Sequence, residues 1–221
     1  MGAASNSPGR HEGVSLLRGE LKRETADLHD RLEALLGLLE PGLSIRRYRQ
    51  VLEIFFGFYA PIEAGLAQLV AARPPPGFSL KARSALLAGD LLTLGLSGRE
   101  LAELPRCRSL PPLSNREELA GCLYVLEGAS LGGRVIARAL DTRLGIAKDS
   151  GASFFVGDAE ATSARWREVL AWLDGLIHDG ARSDVVVTAA RATFLAFASW
   201  AEKRMACWPS TDHDEAATWS I

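Results

Sequence analysis

The sequence predicts a single all-α domain of about six main helices. Three observations carry this. Apolar residues recur at spacings of three, four and seven through most of the chain. There is no alternating strand pair, no Asn-Gly hairpin turn and no repeat of fixed period. Breakers such as Pro41-Gly42, Pro74-Pro75-Pro76, Gly145 and Pro209 fall between the periodic runs.

The first helix is expected over Leu16 to Leu39, where Leu17, Leu21, Leu28, Leu32, Leu35 and Leu39 form one stripe. Pro41-Gly42 stops it. Ser44 is a candidate N-cap for a second helix carrying Tyr48, Leu52, Phe55, Phe56 and Tyr59, with Pro61 as a point of kinking and Pro74 beyond its end. A third helix is placed between Ser79 and Gly95. Gly98 to Pro112 reads as a loop with a short helical turn. Ser114 and Glu117 make a capping-box pattern for a fourth helix running to about Leu144, with Gly145 as its stop. A fifth helix covers Ala159 to Ile177 and a sixth Asp184 to Cys207. Domain limits follow: a flexible start over 1–14, a helical domain over 15–208 and a tail over 209–221.

Composition narrows the function classes. The chain has 221 residues, of which 48% are hydrophobic and 24% charged, so it can bury a core without disulfide or metal. A net charge of −2 argues against a dedicated nucleic-acid binder. Cys107, Cys122 and Cys207 make no CxxC pair and suit reduced thiols in a cytoplasmic setting. Met1 to Gly13 lacks the apolar run of a secretory signal. Charges such as Glu63, Glu127 and Arg134 interrupt the longest apolar stretches, so no segment reads as membrane-spanning.

Two helices carry candidate chemistry. In the first, His29 has Thr25 at i−4 and Glu33 at i+4, with Lys22 two turns back, roughly 10 Å along the same face. An imidazole there can ligate a metal, and a carboxylate one turn away can hold its other nitrogen. Read alone, that helix favours a solvated histidine among Asp27, Asp30 and Arg31. In the fourth helix, Gly128, Gly132 and Gly133 fall within six residues, although each glycine costs about 1 kcal/mol in a helix interior. Gly121, Gly128 and Gly132 share a face, which admits either a second helix or a flat ligand. A P-loop is excluded because Arg134 and Val135 stand where lysine and Ser/Thr belong. The paired Glu-x-x-His pattern of di-iron bundles is absent.

Together the two runs, Leu21-Lys22-x-x-Thr25-x-x-x-His29-x-x-x-Glu33 and Tyr124-Val-Leu-Glu-Gly128-Ala-Ser-Leu-Gly132-Gly133, resemble the proximal and distal helices of heme oxygenases, in the form of bacterial phytochrome-associated members. Phe154-Phe155, the start of the fifth helix (Arg165, Trp166, Arg167) and Phe194 in the sixth fit the same pattern. The resemblance implies a heme oxygenase-like fold with heme between the first and fourth helices. It implies His29 as iron ligand, Glu33 as its hydrogen-bonding partner, and Lys22 with Arg165 or Arg167 as propionate partners. Thr25, Tyr124 and Phe194 would complete the heme pocket, and Gly128, Gly132 and Gly133 would admit heme and crowd bound O₂. Heme would be cofactor and substrate, opened by O₂ and electrons from an external reductant to biliverdin, CO and iron. A ferredoxin, flavodoxin or reductase would be the redox partner and a bacteriophytochrome a candidate acceptor of biliverdin, with no nucleic acid or membrane involved. Ala129 stands where many members carry aspartate, which keeps a heme carrier or sensor as the alternative. A non-heme, thiaminase-like relative would need a nucleophile, for which Cys122 is the one weak candidate.

Overall fold

A computed structural model describes residues 9–72, 82–157 and 159–208, and among these there are helices and no strands. The helices are α1 (Gly9–Leu36), α2 (Ile45–Ala72), α3 (Ser84–Thr93), α4 (Gly98–Glu103), α5 (Arg116–Leu144), α6 (Ser153–Val156), α7 (Ala159–His178) and α8 (Ser183–Ala206). A short 3₁₀ turn, Lys148–Ser150, precedes α6. The expected first, second and third helices are α1 to α3, and the expected fourth, fifth and sixth are α5, α7 and α8. Ser79, Pro74 to Pro76 and the tail from Pro209 lie outside the described residues, as does the chain before Gly9.

Most helix limits follow the local chemistry read from the sequence. Ser44 Oγ accepts the Arg47 N–H at 3.2 Å and opens α2. Gly145 closes α5 with φ of 67°, its N–H bonded to the Asp141 carbonyl at 3.0 Å. Two limits differ. α1 begins at Gly9, inside the start expected to be flexible, and ends at Leu36, where Gly37 turns with φ of 63°. The α5 cap is Asn115, one residue after Ser114: Asn115 Oδ1 accepts the Glu118 N–H at 2.8 Å, while Glu118 accepts the Ser114 N–H at 2.6 Å. With Glu at both 117 and 118, the pattern fits either register, and the asparagine wins as a strong cap.

α2 runs through Pro61 without interruption. Proline has no N–H, so the carbonyl four residues back, Gly57 O, loses its helical donor. That carbonyl accepts the Cys107 N–H at 2.8 Å instead. Gly57 makes the approach feasible: a Cβ there would lie 2.7 Å from Pro105 O and 2.5 Å from the Trp200 ring. Trp200 in turn donates Nε1–H to the Ile54 carbonyl at 2.9 Å. A glycine and a proline one turn apart thus seat the 104–107 loop and α8 on α2.

The core lies where α2, α5, α6 and α8 meet. Phe58 stacks on Phe197 at 4.6 Å and 15°, and Phe55 meets Phe197 edge-on at 5.0 Å. α6 adds Phe154 and Phe155. This one-turn helix was not expected as an element, because no four-residue periodicity exists to read. It is held from outside: buried Asp90 of α3 accepts the N–H groups of Ser153 and Phe154, each at 2.8 Å. α5 and α8 are each long and apolar enough to cross a bilayer, whereas the sequence reading, which weighed charges in the second and fourth helices, expected no membrane-spanning segment. In the structure half of each apolar window is buried against the rest of the protein, and the two helices pack on each other.

Candidate heme site between α1 and α5

A cavity of about 600 Å³ separates α1 from α5, with α2, α6 and α8 supplying its apolar floor. From α1 it takes Lys22, Thr25, His29 and Glu33, the four residues aligned by helical spacing. Leu17, Leu21, Leu28 and Leu32, on the adjoining stripe about 100° round the helix, are buried and fix which face of α1 is presented. His29 Nδ1 lies 3.5 Å from Asp30 Oδ1 and 3.8 Å from Glu33 Oε2. Both carboxylates therefore address one ring nitrogen and leave Nε2 as the nitrogen that could ligate a metal. Glu33 was expected as the imidazole's partner; Asp30 shares that position. The His29 ring meets Phe194 edge-on at 6.3 Å, and Phe194 itself is buried on the cavity wall.

Thr25 is buried and donates its hydroxyl to the Leu21 carbonyl at 2.7 Å. Tyr124 of α5 lines the same end of the cavity and packs on Trp166 at 5.5 Å. Burial pushes its hydroxyl above the usual tyrosine range, and a hydrogen bond with Thr25 pulls it partly back.

The glycines divide between the two roles left open by the sequence. Gly121 serves helix packing: a Cβ there would lie 2.4 Å from Val186 O and 2.7 Å from Ala189 Cβ on α8. Gly133 admits α6, since a Cβ would fall 2.5 Å from Phe155 O. Gly128 sits beside Trp166, with ordinary contact at 3.5 Å. At Gly132 a Cβ would meet nothing within 4 Å. Gly128, Gly132 and Gly133 all line the cavity, but bare backbone open to a ligand is found at Gly132.

The two arginines of α7 are not brought to the site. Arg165 is buried, with Nε bonded to Glu127 of α5 at 2.9 Å and a second nitrogen to Glu168 at 3.2 Å. Arg167 is exposed and bonded to the Ser163 carbonyl at 3.3 Å. The physical reason is helical period: Trp166 faces the cavity, so its neighbours point about 100° to either side. Of the basic residues expected near propionates, Lys22 lines the cavity. Sequence reasoning missed Arg83, Tyr59 and Trp166 as wall residues. Arg83 has no periodic signature because it precedes the first turn of α3. Cys122 is a buried core thiol, its pKa pushed up by burial to about 12, which removes it as a nucleophile.

The cavity suits heme. Its volume is in the range of about 300–1,000 Å³ that takes a large organic ligand. A histidine nitrogen faces one side, and bare backbone at Gly132 faces the other. Leu131 and Val135 of α5, 46% and 62% exposed, lie on its wall as apolar surface that a flat macrocycle would cover.

Comparison with known proteins gives the same picture. The heme oxygenase family model matches residues 15–203. A heme oxygenase of Xanthomonas campestris pv. campestris (strain 8004) is 32% identical over 151 residues, covering 68% of this chain and 86% of that protein. In fold, the chain is similar to the Neisseria meningitidis heme oxygenase solved with NO and CO bound, with TM-score 0.69 and 20% identity over 90% of this chain and 97% of that one. The Leptospira interrogans heme oxygenase superposes with TM-score 0.65 and 17% identity, covering 85% and 98%. The α1 motif, the glycine-bearing α5 and these matches across nearly the whole described domain place the chain in the heme oxygenase family of heme-degrading enzymes.

Proposed function

We propose that this chain opens heme oxidatively to biliverdin, with release of CO and iron, using O₂ and electrons from an external reductant. The observation that supports this best is His29 on α1 set across an apolar cavity from the bare backbone of Gly132 on α5. Heme, when bound, supplies the iron for oxygen chemistry and is itself the molecule consumed. The chain's own residues do the rest. His29 Nε2 would hold the iron, with Asp30 and Glu33 keeping the proton on Nδ1. Lys22 would meet a propionate. The bare backbone at Gly132 would let the ligand lie close against α5. A ferredoxin, flavodoxin or reductase is the proposed donor, a bacteriophytochrome the proposed acceptor of biliverdin, and the cytoplasm the proposed setting.

A carrier or sensor is the second reading, favoured by Ala129, which is exposed and offers no acid or hydroxyl to the cavity. Turnover separates the two. The hemin-loaded protein, given ascorbate in air, is expected to lose its heme absorption and yield a broad red biliverdin band, confirmed by product mass. Hemin that stays intact with ascorbate, and also with a ferredoxin and its reductase, contradicts the enzymatic reading and leaves the carrier.

A further inference from the structure

The wall facing His29 is poor in polar groups. Ala129 contributes none, and the Tyr59 hydroxyl donates to the Leu126 carbonyl at 3.4 Å. Among the described residues, the Lys and Arg side chains on the cavity are Lys22, from α1, and Arg83, from the entry to α3. Arg83 is therefore the cation on the side away from the iron-binding helix.

Its placement is over-determined. One guanidinium nitrogen donates to Ser130 Oγ of α5. The other donates to the Phe154 carbonyl of α6 at 2.7 Å, and the guanidinium carbon lies 4.2 Å from the centre of the Phe154 ring. The Arg83 backbone N–H is held by Glu63 of α2 at 2.7 Å, and Glu63 also accepts from the Ser84 hydroxyl at 2.5 Å. One residue thus joins α2, α3, α5 and α6 immediately beside the Gly132-Gly133 stretch. The guanidinium's hydrogen-bond partners are both neutral oxygens, and among the described residues no carboxylate forms an ion pair with it. The Glu63 carboxylate sits at the Arg83 backbone and not at its guanidinium, so the half-buried guanidinium carries its charge on the wall of the apolar cavity, where screening is weak.

We propose that Arg83 is an electrostatic and positioning residue of the open heme face, fixing the α5 glycine stretch against α6 and favouring an anionic ligand bound opposite His29. The inference rests on the heme reading of the cavity. It assigns to a side chain from α3 the polar function that Ala129 does not supply from α5. Ser130 takes part as the tether: it lies on the side of α5 turned away from the cavity, so it acts through Arg83.

Azide and CO separate charge from shape, because the first is anionic and the second neutral. The hemin complex of the native protein, of Arg83→Gln and of Arg83→Lys is titrated with azide in the ferric state and with CO in the ferrous state, followed by visible absorption. Arg83→Gln is expected to weaken azide binding roughly tenfold and leave CO within about twofold, while Arg83→Lys recovers most of the azide affinity. Equal azide affinity in native protein and Arg83→Gln overturns the inference, as does a loss of CO affinity matching that of azide. Should Arg83→Gln not hold hemin, Ser130→Glu, which pairs the guanidinium without removing it, is expected to weaken azide by the same order; unchanged affinity there overturns the inference. Failure of the native protein to bind hemin at all contradicts the heme reading itself, a separate result.

Discussion

Gly132 and Gly133 are neighbours in sequence and do opposite things. Gly133 is packed on the Phe155 carbonyl, so Gly133→Ala forces backbone apart and is expected to destabilise the heme-free protein by about 1–3 kcal/mol. Gly132 has free space where a Cβ would go, so Gly132→Ala is expected to stabilise the heme-free protein by up to about 1 kcal/mol through helix propensity. The same alanine enters the cavity, so it is expected to weaken hemin binding. Urea unfolding of the two heme-free variants and a hemin titration of each check these signs. The sequence reading could list these glycines but not sort them, since the sorting depends on which neighbour each one meets. Helical spacing puts His29, Lys22, Thr25 and Glu33 in line, but that helix alone favoured a solvated histidine, and the resemblance carried jointly with the α5 glycines made the line a site. Arg165 and Arg167 were misplaced because the same spacing turns them away once Trp166 faces inward.

At the level of elements, helix starts and stops were readable wherever a local cap decides them, as at Ser44 and Gly145. α6 was not readable, because a distant carboxylate, Asp90, holds it in place. The seat of α2 belongs to the same class. Gly57 sits under Trp200 and Pro105, whereas Gly65, two turns on, would give an added Cβ an ordinary contact with Leu113 at 3.6 Å. Gly57→Ala is therefore expected to cost about 1–3 kcal/mol or more, and Gly65→Ala to be neutral or slightly stabilising. Thermal unfolding of both variants gives the comparison; equal effects contradict the role assigned to the Gly57–Pro61 pair.

In the whole molecule, α1 is joined to its neighbours by a buried leucine stripe and by ion pairs at its surface. Arg18 meets Asp174 of α7 at 2.6 Å, Arg31 meets Glu202 of α8 at 2.6 Å, and Arg191 meets Asp27 at 3.3 Å. Such exposed pairs contribute at most about 1 kcal/mol each, so the leucines set the position of α1. Between α1 and α5 the cavity is lined by Thr25 from one helix and Tyr124 from the other, and a ligand held by both walls would complete the contact. The all-α class was legible from apolar periodicity, and the pairing of α1 with α5 across a ligand from the resemblance their motifs carry, while the division of the wall among α2, α3, α6 and α8 is a property of the assembled fold.

The central claim is that heme binds between α1 and α5 with His29 on the iron. A hemin titration followed by visible absorption, on the native protein and on His29→Ala, tests it most directly. The account predicts stoichiometric binding with a histidine-ligated spectrum in the native protein and loss of that spectrum in the variant. The same spectrum from His29→Ala, or no specific binding by the native protein, would contradict it.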